Sequence, residues 1–555
     1  MTSDLSHGRS TQPAAGNPTN AARNRIGFRA AAGVILVCAA LLRILPAPAV
    51  LPYSDYIDEG YVLNQVIDHL NNRSYDSNYY NYPPLPSYLI TGTVLLTGPV
   101  YRAIHGHGFR SDLPRERERR TSLGLNYNLI QPPALILTGR LVAAVLSIAT
   151  VAVVGVIAWR LAGAVAATFA MVLCAFCPSL VIRGSTVIVD TFATFFAVVS
   201  IYFADRLRRA TDARAAVRNS VLAGVAAGLA ADCKYTAVMV FVVTLLTIVL
   251  RAARIRGKIL LAVTSGFAAT VAAICAAPAI VLQPHKIITE LRLVSAFYKT
   301  VVLPTTYWQA AWLDYELGVL LVVAAIVGWV FMFLRRDLRI TAGLWSIFAV
   351  CLIAPLASYA QQPFRNLLPL VPLACVAAGI LFAAPFKLSK PLYRWILSGV
   401  GVSCAIAITY ASAKVDWRYT RDRLARIDSR VRAVDWLQHE SRPTDRILLF
   451  RELVVLPAEQ KRIRGIVEEV PWLNVAETMQ RKHFDYIMEA EIDFVGTDNP
   501  EWTAYRTALH ERIAALPAVF TVGDMATPIY PHIWRSLDQR IVIRRASPGW
   551  TLSAE

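Results

Sequence analysis

Apolar residues in this 555-residue chain lie in long runs that short basic clusters separate. A helix rises about 1.5 Å per residue, so a run of about 20 residues crosses the roughly 30 Å of hydrocarbon in a bilayer. Eleven runs approach or reach that length, and they cover residues 27–51, 134–159, 163–180, 187–204, 219–232, 235–250, 259–281, 316–334, 341–358, 366–386 and 395–413. The pattern predicts a polytopic α-helical membrane protein with about eleven transmembrane helices.

The chain divides into three parts. Residues 1–26 are polar and are predicted to form a disordered cytoplasmic tail, and residues 27–413 hold the apolar runs. Residues 414–555 have the composition of a soluble domain, with an amphipathic helix predicted over 428–440. Short strands are predicted at ILLF 447–450, FDYIM 484–488 and IVIRR 541–545. We therefore expect a small α/β domain at the C-terminal end.

The composition excludes an ordinary soluble protein. Hydrophobic residues make up 55% of the chain and charged residues 17%, with a mean hydropathy of +0.45, whereas soluble chains are about 25% charged. The net charge is +18, but most basic clusters lie between apolar runs, where they orient a membrane protein. We therefore expect no binding to nucleic acid. The eight cysteines lie in or beside apolar runs, so we expect no disulfide framework.

The apolar run Pro86–Ala103 decides the predicted orientation. If it crossed the bilayer, the strongly basic connections would lie outside, against the positive-inside bias. If it lies along the interface, the cytoplasmic connections hold 16 lysines and arginines and the external ones after residue 133 hold six. We therefore place the N-terminus in the cytoplasm, a large external loop at 52–133, and the C-terminal domain on the external or periplasmic side. The prediction is a multi-pass protein of the plasma (inner) membrane.

Two adjacent carboxylates follow the first apolar run, in YSDYIDEGY at residues 53–61. Asp58 and Glu59 are predicted to lie at the external membrane boundary, where a low dielectric raises a carboxylate pKa toward values useful for a general base. The alternative is a solvated acidic loop. The pair could also hold a divalent ion, but the ligand set is incomplete, so no metal or cofactor is assigned.

Further polar residues share the external boundary in this topology. Tyr82 lies in the YYNYPPLP segment that begins the interfacial helix, where tyrosines are typical anchors. The candidate substrate-binding residues beside it are Asp190, Lys234, Arg365, Arg183 and His285. Ionisable residues at such depth indicate function, and cations beside carboxylates suit a phosphate leaving group with a base opposite. The alternative for each residue is structural, such as a pairing of Lys234 with Asp232 or snorkelling of Arg365.

Five motifs occur in an order that is typical of one family: DEGY, YPPLPSYL, VDTFATFF, GLAADCKYTA and FRNLLPLVPL. With these motifs, residues 30–410 resemble the dolichyl-phosphate-mannose protein mannosyltransferase family, glycosyltransferase family 39, of the larger GT-C class. The resemblance implies a GT-C-like membrane glycosyltransferase that uses a polyprenyl-phosphate sugar donor. Its acceptor would be a lipid, a glycan or a protein.

The same resemblance implies roles for individual residues. The Asp-Glu pair of the family's first external loop corresponds to Asp58 and Glu59, with the Asp as base or acceptor-positioning residue. The Asp at the external end of a later span corresponds to Asp190, and the Lys and Arg positions correspond to Lys234 and Arg365.

We expect Asp58 to take the proton of the acceptor hydroxyl during an inverting attack, and the two cations to stabilise the departing phosphate. This hypothesis requires Asp58, Asp190, Lys234 and Arg365 to share one pocket. The main alternative is a secondary transporter, although inverted repeats with broken helices are not apparent. A non-catalytic scaffold or receptor is a third interpretation.

Overall fold

The computed structural model describes residues 18–54, 57–76, 80–113, 132–251, 253–300, 306–360, 362–450, 453, 455–490, 500–523, 540–547 and 550. The Arg-rich segment 114–131 of the predicted external loop and residues 1–17 of the predicted tail lie outside this part of the chain.

Helices dominate the chain up to Ala425. They are α1 Pro18–Ile44, α2 Ile57–Asn72, α3 Leu85–His105, α4 Pro133–Ala162, α5 Ala164–Ala175, α6 Pro178–Gly184, α7 Val189–Arg209, α8 Ala213–Cys233, α9 Phe241–Leu250, α10 Ile255–Ala276, α11 Ala279–Leu282, α12 Pro284–Thr300, α13 Tyr307–Ala311, α14 Val319–Leu334, α15 Arg339–Ala357, α16 Val371–Ala383 and α17 Pro391–Ala425. Short 3₁₀ segments cover Phe109–Asp112, Tyr235–Val240, Phe364–Leu370 and Ala384–Lys387. Each of the eleven predicted apolar runs is therefore mostly helical.

Among the residues that the structure describes, six helices are long and apolar enough to cross a membrane, or up to seven if a bent pair of helices counts as one span. The bent pair is α5 with α6, at an angle of 57°. Other predicted runs do not reach this length or apolarity. Helix α14 has only 16 residues, and α7 carries Asp190 and a basic last turn. Helix α3 does not belong to the six. The chain is a multi-pass helical membrane protein.

Small residues let several helices approach closely. Helix α8 packs along α7 and α10, and α16 packs along α5 and α14. A Cβ atom built on Gly228 of α8 would lie 2.3 Å from the backbone oxygen of Ala269, and one on Gly328 would lie 2.3 Å from that of Ala377. Glycine is thus required where the backbones meet, as in other membrane helix pairs.

The C-terminal part holds a five-stranded mixed sheet in the order β2-β1-β3-β5-β4. Its elements are α18 Ser429–Glu440, β1 Arg446–Phe450, α19 Pro457–Gln460, β2 Ile466–Val470, α20 Trp472–Arg481, β3 Tyr486–Ala490, α21 Pro500–Ala514, β4 Ala518–Val522 and β5 Ile541–Arg545. Strand β1 pairs in parallel with β2 and β3, and β5 pairs antiparallel with β3 and β4. Helix α18 packs on one face, and α20 and α21 pack on the other.

The structure places several boundaries differently from the sequence prediction. Helix α1 begins at Pro18, inside the segment predicted to be a disordered tail, because proline suits a first turn and Ala21 and Ala22 favour helix. Helix α17 runs to Ala425, past the predicted boundary at residue 413, because Asp416, Tyr419 and Arg423 form a buried stripe at helical spacing. The external loop 52–133 contains α2 in addition to the predicted helix α3.

Candidate functional site

Asp58 and Arg365 form a buried ion pair. Asp58 lies in the first turn of α2, where the helix dipole stabilises a negative charge. Arg365 lies in the 3₁₀ segment that precedes α16, and its Nη1 atom donates to Asp58 Oδ2. The two residues are 4% and 5% exposed. The structure thus joins two predicted site residues that are 307 positions apart.

Lys234 and Asp190 form a second ion pair beside the first. Asp190 opens α7, and Lys234 follows the last turn of α8, so each charge suits its helix end. The Lys234 ammonium also donates to Asn366 Oδ1 at 2.6 Å. Because Asn366 follows Arg365 in the chain, the two ion pairs are continuous. Lys234 pairs with Asp190, not with Asp232 as the structural alternative supposed.

Tyr82 lies next to this charged cluster. Its ring is 6.3 Å from that of Tyr61, edge to face, and its carbonyl accepts a hydrogen bond from Gln65. Burial raises the pKa of the Tyr82 hydroxyl well above its ordinary value, and the negative charge of Asp58 raises it further. Tyr82 therefore lies beside these charges as a neutral hydroxyl group. We use the name "charged cluster" below for Asp58, Asp190, Lys234, Arg365 and Asn366.

Glu59 has a different environment from its neighbour Asp58. Its carboxylate accepts hydrogen bonds from Arg140 Nε at 2.8 Å and Nη2 at 2.7 Å, from Ser54 Oγ at 2.7 Å and from the Val187 amide at 3.0 Å. Burial alone would raise the pKa of Glu59, but the charge and hydrogen bonds of Arg140 lower it below its ordinary value. Four hydrogen bonds occupy the carboxylate, so the geometry favours an anchoring role for Glu59 over direct chemistry.

Arg183 binds a carboxylate that the sequence did not indicate. Its Nη1 and Nη2 atoms donate to the two oxygens of Glu316 at 2.8 and 2.5 Å, and Ser179 Oγ donates to the same carboxylate at 2.7 Å. The backbone carbonyl of Arg183 accepts from Thr191, next to Asp190. This arrangement fixes α6 against the segment before α14. Arg183 thus supports the N-terminal end of α7.

His285 is exposed near the start of α12. Nothing that the structure describes joins its ring to the charged cluster. Among the described residues, no group of three or more His, Cys, Asp or Glu side chains could hold a metal ion.

Sequence reasoning missed three residues that complete the site. They are Asn366, Arg140 and Glu316. Arg140 carries a signal that could have found it, because a lone cation inside the apolar run 134–159 must have a partner in the bundle. Asn366 and Glu316 are ordinary polar residues at the edges of apolar runs, and only their position in space indicates their role.

The fold and site define a helical membrane protein with a charged cluster at the ends of its helices. Residues 133–284 match the model of the family described as dolichyl-phosphate-mannose-protein mannosyltransferase. The match includes Asp190 and Lys234, and it confirms the predicted resemblance and the glycosyltransferase class of the enzyme. No curated protein sequence matches the chain.

Several solved structures are similar at low sequence identity. ArnT from Cupriavidus metallidurans, in the apo state, is 12% identical, with 94% of this chain and 98% of that chain covered and a TM-score of 0.49. The Archaeoglobus fulgidus oligosaccharyltransferase tethered with an acceptor peptide is 11% identical, with 83% and 69% covered and a TM-score of 0.47. The S. cerevisiae protein O-mannosyltransferase Pmt1-Pmt2 complex is 15% identical, with 47% and 34% covered and a TM-score of 0.33.

Proposed function

We propose that this protein transfers a sugar from a polyprenyl-phosphate donor to an acceptor on the external face of the membrane, with inversion at the anomeric carbon and Asp58 as the base. A polyprenyl donor is confined to the bilayer, so its phosphosugar head lies at the interface. The acceptor, whether a lipid, a glycan or a protein, would approach from the external side. The description of the matching family, which names a dolichyl-phosphate-linked mannose, supports a donor of this class.

One observation carries the proposal: the charged cluster joins two carboxylates and two cations by direct contacts at the ends of helices. A glycosyl transfer from a phosphate needs a base for the acceptor and positive charge for the leaving group. Asp58 supplies the first, and Arg365 and Lys234 supply the second. All five members of the cluster lie among α2, α7, α8 and the 3₁₀ segment before α16.

The proposed step balances without a cofactor. The acceptor oxygen attacks the anomeric carbon as the bond from that carbon to the phosphate oxygen breaks. Asp58 takes the proton of the acceptor hydroxyl, and the polyprenyl phosphate leaves with the bonding electron pair. Arg365 and Lys234 hold the negative charge that develops on the phosphate, and Asp190 orients the sugar or the acceptor. Tyr82, as a neutral hydroxyl, would contact the sugar.

The proposal includes the full topology of eleven spans with the N-terminus in the cytoplasm and the C-terminal domain outside. In this arrangement α3 lies at the interface, and the charged cluster faces the external side. The distribution of lysine and arginine between connections supports it, with 16 residues against six.

Label release from a panel of radiolabelled polyprenyl-phosphate sugars tests the proposal. Purified protein in lipid nanodiscs should release label from one donor of the panel in the presence of an acceptor extract. The Asp58→Asn variant should lose at least about 100-fold of this rate, since a positioned base contributes about 10²- to 10⁴-fold. The variant also removes one partner of a buried ion pair, so its melting temperature should fall by several degrees, and the rate is compared at a temperature at which both proteins are folded.

A matched control is Asp337→Asn, which removes a carboxylate that pairs with Arg335 at the surface between α14 and α15. Its rate should stay within twofold of the unchanged protein. Full activity of Asp58→Asn would overturn the role of Asp58. Ion-driven solute uptake by vesicles, without label release from any donor, would favour the transporter instead.

A further inference from the structure

Tyr53 joins the membrane bundle to the C-terminal domain. It follows the turn at the end of α1 and is 1% exposed. Its hydroxyl oxygen accepts a hydrogen bond from the backbone amide of Leu456 at 3.2 Å, and the guanidinium carbon of Arg430 lies 3.6 Å from its ring centroid. Both partners belong to the C-terminal domain: Arg430 is in α18, and Leu456 directly precedes α19.

The domain side of this contact is held in place by other bonds. The Nε and Nη2 atoms of Arg430 donate to the two oxygens of Asp428 at 2.8 and 2.7 Å, and Asp428 also accepts from the Arg430 amide at 2.9 Å as the N-cap of α18. The guanidinium is therefore fixed where it meets Tyr53. A cation over an aromatic face is attracted more strongly when it is removed from water, and Arg430 is only 5% exposed.

The bundle side leads directly to the charged cluster. Ser54 follows Tyr53, and its hydroxyl donates to Glu59 at 2.7 Å. Glu59 directly follows Asp58 in the chain. Arg140, which pairs with Glu59, also donates hydrogen bonds to the carbonyl oxygens of Ala47 and Ala49 at 2.9 and 2.8 Å, in the turn before Tyr53. One short path therefore runs from the C-terminal domain through Tyr53, Ser54 and Glu59 to Asp58.

We propose that Tyr53 is a positioning residue through which the C-terminal domain sets the position of Asp58. The domain then acts on the rate of transfer by holding the start of α2 in register with Arg365. A base displaced by about 1 Å loses about 100-fold in rate, so a loosened Tyr53 contact lowers turnover although Tyr53 touches no substrate. This inference rests on the proposed function, since it takes Asp58 as the base.

Three variants of the full chain test the proposal: Tyr53→Leu, Arg430→Gln and the double variant. Tyr53→Leu and Arg430→Gln should each lower kcat at least tenfold with the donor that the unchanged protein consumes, with KM for that donor changed less than twofold. The double variant should be no worse than the poorer single variant, because both break one contact. Tyr53→Phe keeps the ring and the cation contact and should recover most of the lost kcat.

A second readout does not depend on a substrate. Hydrogen exchange of the amides at residues 57–60 should be at least tenfold faster in Tyr53→Leu than in the unchanged protein. The matched control is Arg481→Gln, which removes an exposed arginine of α20 that pairs with Glu477. It should change neither exchange at residues 57–60 nor kcat.

The outcomes separate this inference from the proposed function. Unchanged exchange at residues 57–60 in Tyr53→Leu overturns the inference, and so does a kcat within twofold of the unchanged protein. If Tyr53→Leu does not fold, Arg430→Gln carries the same two measurements. If Asp58→Asn abolishes transfer and the Tyr53 variants do not affect it, only the positioning role fails. If Asp58→Asn is fully active, the role of Asp58 as base fails.

Discussion

At the scale of single residues, the adjacent carboxylates of Asp58 and Glu59 have different surroundings. Asp58 pairs with Arg365 in the charged cluster, whereas the oxygens of Glu59 accept four hydrogen bonds. Hydrogen bonds to a carboxylate favour its charged form, so Glu59, whose pKa is lowered, is a weaker base than an ordinary carboxylate. Asp58 instead pairs with Arg365, a cation that the phosphate of the proposed donor would also attract.

Glu59→Gln should therefore destabilise the fold more than it changes the chemistry. Breaking a buried ion pair by removing one partner costs about 3–5 kcal/mol, and both Glu59 and Arg140 are fully buried. The melting temperature in nanodiscs should fall by several degrees. Arg335→Gln at the exposed pair with Asp337 should leave it unchanged, because exposed pairs contribute at most about 1 kcal/mol.

The stability from Glu59 also depends on pH, with a defined sign. Its folded-state pKa lies below the ordinary value, so its contribution is complete above the unfolded pKa of about 4.3 and is lost as pH falls through the folded value. The difference in melting temperature between the unchanged protein and Glu59→Gln should shrink in acid. A difference that grows on acidification would contradict the assignment.

Close helix approach is the feature to test at the scale of elements. Helices α8 and α10 meet where Gly224 and Gly228 face the backbone oxygens of Ser265 and Ala269, and added Cβ atoms would lie only 2.2 and 2.3 Å from them. Backbone oxygens of a packed helix cannot move aside as a flexible side chain can. The two helices would have to separate, with a loss of packing along their whole contact.

Gly228→Ala should accordingly destabilise the bundle by about 1–3 kcal/mol, the usual cost of overpacking. Gly266→Ala on α10 is the matched control, because nothing lies within 4 Å of the added methyl group. It should be neutral or stabilising by up to about 1 kcal/mol, since alanine favours helix. Thermal melting of both variants in nanodiscs measures the difference, and equal melting temperatures would rule out the close contact.

At the scale of the whole molecule, the prediction concerns the orientation of the protein in the membrane. Two variants test it, Arg481→Cys in α20 of the C-terminal domain and Arg336→Cys between α14 and α15, and both arginines are exposed. A membrane-impermeant maleimide applied to intact cells should label Arg481→Cys, because the domain is predicted to lie outside. Arg336→Cys should react only after the cells are opened.

The unchanged chain gives the background for this labelling, because Cys275 and Cys404 are exposed on the bundle surface. Labelling of Arg336→Cys in intact cells, without labelling of Arg481→Cys, would show that the orientation is the opposite of the predicted one. The charged cluster would then face the cytoplasm, and an acceptor on the external face could not reach it.

The sequence by itself determined most of the helices and the central strands. Apolar runs of bilayer length became helices, because a chain in lipid must satisfy its backbone hydrogen bonds internally. The central strands β1, β3 and β5 were predicted, since their side chains are buried on both faces of the sheet. Strands β2 and β4 were missed, because they lie at the two edges of the sheet and are less buried than the central strands, with mixed patterns such as IVEEV.

Tertiary structure alone decided which charges meet. The sequence indicated that Asp58, Asp190, Lys234 and Arg365 are charged residues that need partners at a membrane boundary. It could not indicate which partners, because positions along the chain do not give distances between residues in the folded protein. Lys234 pairs with Asp190, 44 residues away in the sequence, and not with its near neighbour Asp232. Glu59 takes Arg140, 81 residues away. A buried charge is stabilised by the partner that packing brings within reach, so helix packing decides which charges form the charged cluster and which form a separate pair.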